Sequence, residues 1–126
     1  MKLILSYQDK IKYEFRKLNL DFSKITDKSV ISITTRYCKN LQEVSLQGTQ
    51  ITDRSLRVIS NDKVFSELKR LDITQCSEIT PEGIDYVLCR LQHLQEISIT
   101  KNKLKLQMII LVKFRSKVEL NIVTDV

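Results

Sequence analysis

One spelling occurs four times along the chain, and a spelling that returns at a fixed distance leaves few folds open. The stretches are "LNLDFSKITD" from Leu18, "LQEVSLQGTQITD" from Leu41, "LKRLDITQCSEIT" from Leu68 and "LQEISITKNKL" from Leu94. Laid over one another, they place Leu20, Leu46, Ile73 and Ile99 in one column, at spacings of 26, 27 and 26 residues. A period of this size belongs to a solenoid, in which each unit buries its apolar face only against its neighbours.

The other columns say what one unit contains. Leu18, Val44, Leu71 and Ile97 stand two positions before the first column, and Phe15, Leu41, Leu68 and Leu94 three positions before those. The last two apolar positions of each unit alternate with polar residues, the pattern of a half-buried strand. Next come Ser23, Thr49, Cys76 and Asn102, small residues able to hydrogen-bond where the backbone leaves its ladder. Ile25, Ile51, Ile79 and Leu104 follow as apolar plugs.

Thr26, Thr52 and Thr80 then suit a helix N-cap, and Asp27 and Asp53 suit the positive end of the helix dipole. In the third unit Pro81 takes the first helical position, where its missing N–H costs nothing. Helical spacing continues through Val30, Ile33 and Tyr37, through Leu56 and Ile59, and through Ile84, Val87, Leu88 and Leu91. Each unit therefore reads as strand, bend and capped helix. Stacked units predict an α/β solenoid of about four to five strand-helix coils, with a parallel sheet on the concave side and helices on the convex side.

These residues resemble leucine-rich repeats of the cysteine-containing type, whose unit runs L-x-x-L-x-L-x-x-C-x-x-I-T-D before its helix. Leu68 to Thr80 is the best match, with Cys76 in the cysteine position, and "YCKNL" at Tyr37 to Leu41 looks like a link into the next strand. The resemblance covers about Phe15 to Asn102. Ser, Thr and Asn replace the cysteine in the other units, the second helix carries extra residues around Asn61 to Lys63, and the last unit lacks I-T-D. Such repeats form the substrate-recognition arms of F-box proteins in ubiquitin ligases and occur in antagonist-of-mitotic-exit-like proteins. The resemblance thus implies a non-catalytic, intracellular adaptor of the cytoplasm or nucleus, with another protein, such as a ubiquitin-ligase component, as partner. Residues 1–14 are too short for the helical F-box, so none is expected.

A single domain is expected over residues 1–126, with 1–14 as cap or degenerate repeat, 15–104 as repeats and 105–126 as a closing unit. In that last segment the apolar run Gln107 to Phe114 predicts a helix, and Val118 to Val123 a final strand. Neither Leu3 to Leu5 nor Met108 to Val112 is long enough for a membrane span.

Strand residues that point away from the core predict the binding surface: Lys17, Asn19, Asp21, Glu43, Ser45, Gln47, Arg70, Asp72, Thr74, Glu96, Ser98 and Thr100. Two cations against four anions leave this face at −2, although the whole chain carries +6. Lys17, Glu43, Arg70 and Glu96 alternate in sign across neighbouring strands, as a register-fixing ladder or as a recognition row.

The basic excess gathers at Lys101, Lys103, Lys105, Lys113, Arg115 and Lys117. That cluster defines an alternative function, electrostatic binding of nucleic acid or an anionic membrane, but only Phe114 is present there for base stacking.

Nothing in the sequence spells a reaction. The two glycines, Gly48 and Gly83, lie too far apart for a phosphate loop. The three cysteines share no CxxC spacing and have one histidine, His93, to join them, so neither a metal site nor a cofactor is expected. Cys38 and Cys89, toward helix ends, read as packed thiols. The acids of the strand face have basic neighbours that hold them ionised, which is unsuited to acid catalysis.

Overall fold

A computed structural model describes residues 16–37, 40–61, 65, 67–91, 93–100 and 118–123, with the side chains of 34–37 and 120 left aside. The strands are β1 (Lys17–Asn19), β2 (Glu43–Ser45), β3 (Arg70–Asp72), β4 (Glu96–Thr100) and β5 (Glu119–Val123). Helices α1 (Asp27–Tyr37), α2 (Asp53–Ile59) and α3 (Pro81–Arg90) follow the first three strands. All five strands are parallel and lie side by side in chain order. The fold is the expected α/β solenoid, with sheet on one side and helices on the other.

The register follows the columns of the sequence. Leu18, Val44, Leu71 and Ile97 are successive cross-strand partners, and so are Lys17, Glu43, Arg70 and Glu96. Because side chains alternate along a strand, a slip of one residue would turn the apolar column out to solvent and the charged column into the core. The backbone repeats just as regularly before each strand. Arg16 O accepts from the N–H groups of Gln42 and Glu43, Gln42 O from those of Lys69 and Arg70, and Lys69 O from those of Gln95 and Glu96.

Between the layers runs one core that includes Leu46, Ile51, Leu56, Leu71, Ile73, Ile79, Ile84, Leu88, Ile97 and Ile99, all buried. Burying each such side chain contributes on the order of 1.5–3 kcal/mol, so the stacked middle coils dominate stability. The first coil is less tightly covered: Leu18, Leu20, Ile25 and Ile33 are only partly buried, and a small apolar pocket opens beside them.

One local feature was not anticipated from the sequence, and another departs from its reading. Beyond α2, Phe65 enters the core, where its ring is fully buried; its N–H donates to Asn61 O at 3.0 Å. Cys89 is exposed rather than packed, because its place on α3 faces solvent; its thiol lies 4.0 Å from Asp85 Oδ1. Gly83, by contrast, is buried because it lies where α3 meets the preceding coil. Residues 1–14, Cys38, the segment 101–117 with its basic cluster, and the predicted helix at Gln107 to Phe114 lie outside the described residues.

Candidate protein-binding surface

Strands β1, β2 and β3 each lead into a tight turn whose second residue beyond Leu20, Leu46 or Ile73 is left-handed: Phe22 and Gln75 at φ 57° and Gly48 at φ 68°. The next residue closes the turn. Ser23 Oγ donates to Leu20 O at 2.6 Å, and Thr49 Oγ1 to Leu46 O at 2.8 Å. Cys76 reaches sideways instead, its thiol 3.0 Å from the same Leu46 O of the preceding coil. Burial pushes the Cys76 thiol up from its ordinary pKa, which keeps it protonated in this structural role.

These turns fix the outer strand face, and its polar groups are tied to one another. Asp21 Oδ1 accepts from Ser45 Oγ at 2.5 Å and from the Gln47 N–H at 2.8 Å, bridging the first two coils. Asn19 Oδ1 accepts from the Asp21 N–H at 2.9 Å. Asp72 Oδ1 accepts from the N–H and hydroxyl of Thr74, at 3.0 and 2.7 Å.

The charged column forms a continuous ladder. Lys17 Nζ lies 3.4 Å from Glu43, Arg70 binds the other oxygen of Glu43, and Arg70 Nε lies 3.7 Å from Glu96. The hydrogen bond from Arg70 holds the Glu43 carboxyl below its ordinary pKa, with Lys17 adding to the effect, and Glu43 in turn raises Arg70. A carboxylate held so firmly ionised accepts hydrogen bonds and attracts cations; it does not donate protons at neutral pH. On β5, Asn121 Nδ2 donates to Glu96 Oε1 at 2.7 Å and extends the polar row by one strand.

Most of the sequence-predicted residues therefore share one surface, with Lys17, Asn19 and Arg70 exposed and Asp21, Glu43, Ser45, Gln47, Asp72, Glu96 and Ser98 half-buried. Thr74 and Thr100 differ, being buried at 2% and 3% exposure. Their hydroxyls are used inside the turns: Thr74 donates to Asp72, and Thr100 Oγ1 accepts from the Gln75 N–H at 2.7 Å. These two threonines offer no surface to a partner.

The strand reading missed Phe22, which is 64% exposed at the margin of this face. Its ring lies over Gly48, where an added Cβ would sit 2.4 Å from Phe22 Cδ1. The pairing of an aromatic residue in one turn with a glycine in the next was the available signal.

Among the described residues, no group of three or more His, Cys, Asp or Glu is placed to hold a metal ion, and no helix is long and apolar enough to cross a membrane. The family model described as Leucine Rich repeat matches residues 37–60, which run from the end of α1 through β2 to the end of α2. No curated protein matches the chain significantly. The matched coil is repeated in register on either side, so the fold is that of a leucine-rich-repeat solenoid.

Proposed function

We propose that the protein is a non-catalytic interaction module that binds another protein through its concave strand face. Its binding row is Lys17, Glu43, Arg70 and Glu96, backed by Asn19, Asp21, Ser45, Gln47, Asp72 and Ser98 and flanked by Phe22. The observation that carries this reading is the ordering of that row. Its side chains are held by paired strands and by each other before a partner arrives, so binding loses little conformational entropy. Phe22 adds an exposed ring of the kind that anchors interfaces. The resemblance of the Leu68 to Thr80 unit to cysteine-containing repeats favours an intracellular adaptor or substrate-recognition role in a ubiquitin-ligase-type assembly.

Affinity capture from a eukaryotic lysate tests both parts of the proposal. Wild type is compared with the double variant Arg70→Glu, Ser45→Trp, with Phe22→Ala, and with Arg54→Glu on the exposed side of α2 as control. A discrete partner is expected to be lost with the double variant, weakened with Phe22→Ala and kept with Arg54→Glu. Ubiquitin-ligase subunits among the lost proteins support the adaptor role. Loss only with Arg54→Glu overturns the site, and capture of salt-sensitive nucleic-acid-bound proteins by every variant favours the basic segment 101–117 instead.

A further inference from the structure

Among the described residues the sheet ends at β1 and β5, two strands made of matching residues, and we infer that the protein associates head to tail, the β5 edge of one copy pairing in parallel with the β1 edge of the next. Across the sheet the charged column reads Lys17, Glu43, Arg70, Glu96 and Glu119, so the alternation of sign stops at β5, where Glu119 stands beside Glu96. A following copy would place its Lys17 beside Glu119 and restore the alternation. The same register sets Asn121 beside Asn19, two side chains that can donate to and accept from each other.

The backbone fits the same junction. Leu20 N–H donates across the sheet to Ser45 O at 2.9 Å, and Ile122 occupies the position of Leu20 in its own coil. The Glu119 N–H points back to Gln95 O at 2.6 Å, so by the alternation of a strand the Ile122 N–H points away from β4, toward the place of a next strand. Asn19 O of a second copy stands where Ser45 O stands in the first junction. Side chains add an apolar contribution: Ile122 and Val123 are 45% and 40% exposed, although Ile122 stands in register with the buried Ile99. Among the described residues no strand lies beyond β5, and a sheet edge with exposed apolar residues is a template for strand addition. Because the surfaces joined are different, the contact does not close into a two-fold dimer but grows in steps.

Sedimentation over a range of protein concentrations, with charge-swap variants, tests this directly. Wild type is expected to show a mean mass that keeps rising past that of a dimer. E119K and K17E alone should each need at least about tenfold more protein to associate, since like charges then face each other at the junction. An equimolar mixture of the two should associate as wild type does, because each junction in the mixture joins opposite charges. Ile122→Pro, which removes the outward N–H, should remain a monomer with the melting curve of a folded protein. A single monomer mass for wild type at all concentrations overturns the inference. Association of E119K alone at wild-type strength, or no recovery on mixing two folded variants, overturns it equally.

Discussion

Two polar systems cross the coils of this solenoid, and they differ in kind although both repeat once per turn. On the strand face, Lys17, Glu43, Arg70 and Glu96 form an ion-pair row in which Lys17 is 78% and Arg70 57% exposed. At the N-terminal ends of the helices, each Asp of the I-T-D signature binds the threonine of the following coil. Asp27 accepts from the Thr52 N–H at 2.8 Å, from Thr52 Oγ1 at 2.6 Å and from Ser55 Oγ at 2.5 Å. Asp53 repeats this with the N–H and hydroxyl of Thr80, at 2.8 and 2.5 Å. The donated hydroxyl of Thr52 keeps its oxygen turned to accept from the Arg54 N–H at 3.2 Å, so one carboxylate orients the cap of the next helix. The comparison separates what holds the coils together from what lies on their surface: the seam at the helix ends joins coils, while the exposed row contributes little to folding, which suits the binding role proposed for it.

The largest effect should come from breaking the apolar column that lies between the two systems. Leu71→Asp puts an unpaired charge at a site 2% exposed, between Val44 and Ile97, and should remove several kcal/mol of stability and the cooperative melt with it. Asp27→Ala comes next. It leaves the Thr52 N–H, the Thr52 hydroxyl and the fully buried Ser55 without their acceptor, an expected loss of about 2–4 kcal/mol by chemical denaturation.

That ranking could not have been drawn from the sequence, although most of the fold could. Leu18, Val44, Leu71 and Ile97 announced the register because apolar periodicity is enforced at every coil by burial. Asp27 and Asp53 were legible as helix-end acids, but their partners are 25 to 28 residues away, and a one-dimensional reading of a cap looks only a few residues ahead. The left-handed turns were hidden because Phe22 and Gln75 occupy two of them where glycine would have signalled the conformation. Phe65 was hidden because it lies just after the extra residues Asn61 to Lys63, outside the columns of the repeat. Of the candidate surface, the charged row was legible from its spacing, whereas the burial of Thr74 and Thr100 follows from turn geometry that spacing does not carry.

The two aspartate junctions of the seam are unequal, and Gly83 shows why. It occupies in α3 the place of Ser55 in α2, and a Cβ there would lie 2.1 Å from Asp53 Oδ1. Ser55 strengthens its junction with a third hydrogen bond, whereas Gly83 makes room for the carboxylate instead. Gly83→Ala should push Asp53 off Thr80 and cost about 1–3 kcal/mol despite the better helix propensity of alanine. In an Asp53→Ala background the same substitution should become neutral or stabilising, which a double-mutant cycle would read as coupling.

The smallest effect, and the finest test of the comparison, combines pH and salt. Burial pushes the Asp27 pKa up, but the hydrogen bonds from Ser55 and Thr52 outweigh it and hold the carboxyl below its ordinary value of 3.8; Glu43 is held below its ordinary 4.5 by Arg70 and then Lys17. In both cases the unfolded chain binds the proton more readily, so each contribution is whole above about pH 5 and is lost as pH falls through the ordinary value toward the lowered one. Asp27→Asn should therefore flatten the acid limb of a stability-versus-pH curve, and Glu43→Gln should leave most of that limb in place. Salt separates the causes. Glu43 is held by charged, exposed partners, and at about 1 M salt the Debye length falls to ~3 Å. The melting midpoint of Glu43→Gln, displaced by no more than about 3 °C at low salt, should then merge with that of wild type. Asp27 is held by neutral donors at hydrogen-bond distance, so Asp27→Asn should stay displaced at every salt concentration. Merging of both variants at high salt would mean that the seam is electrostatic like the row and that the two systems do not differ in kind.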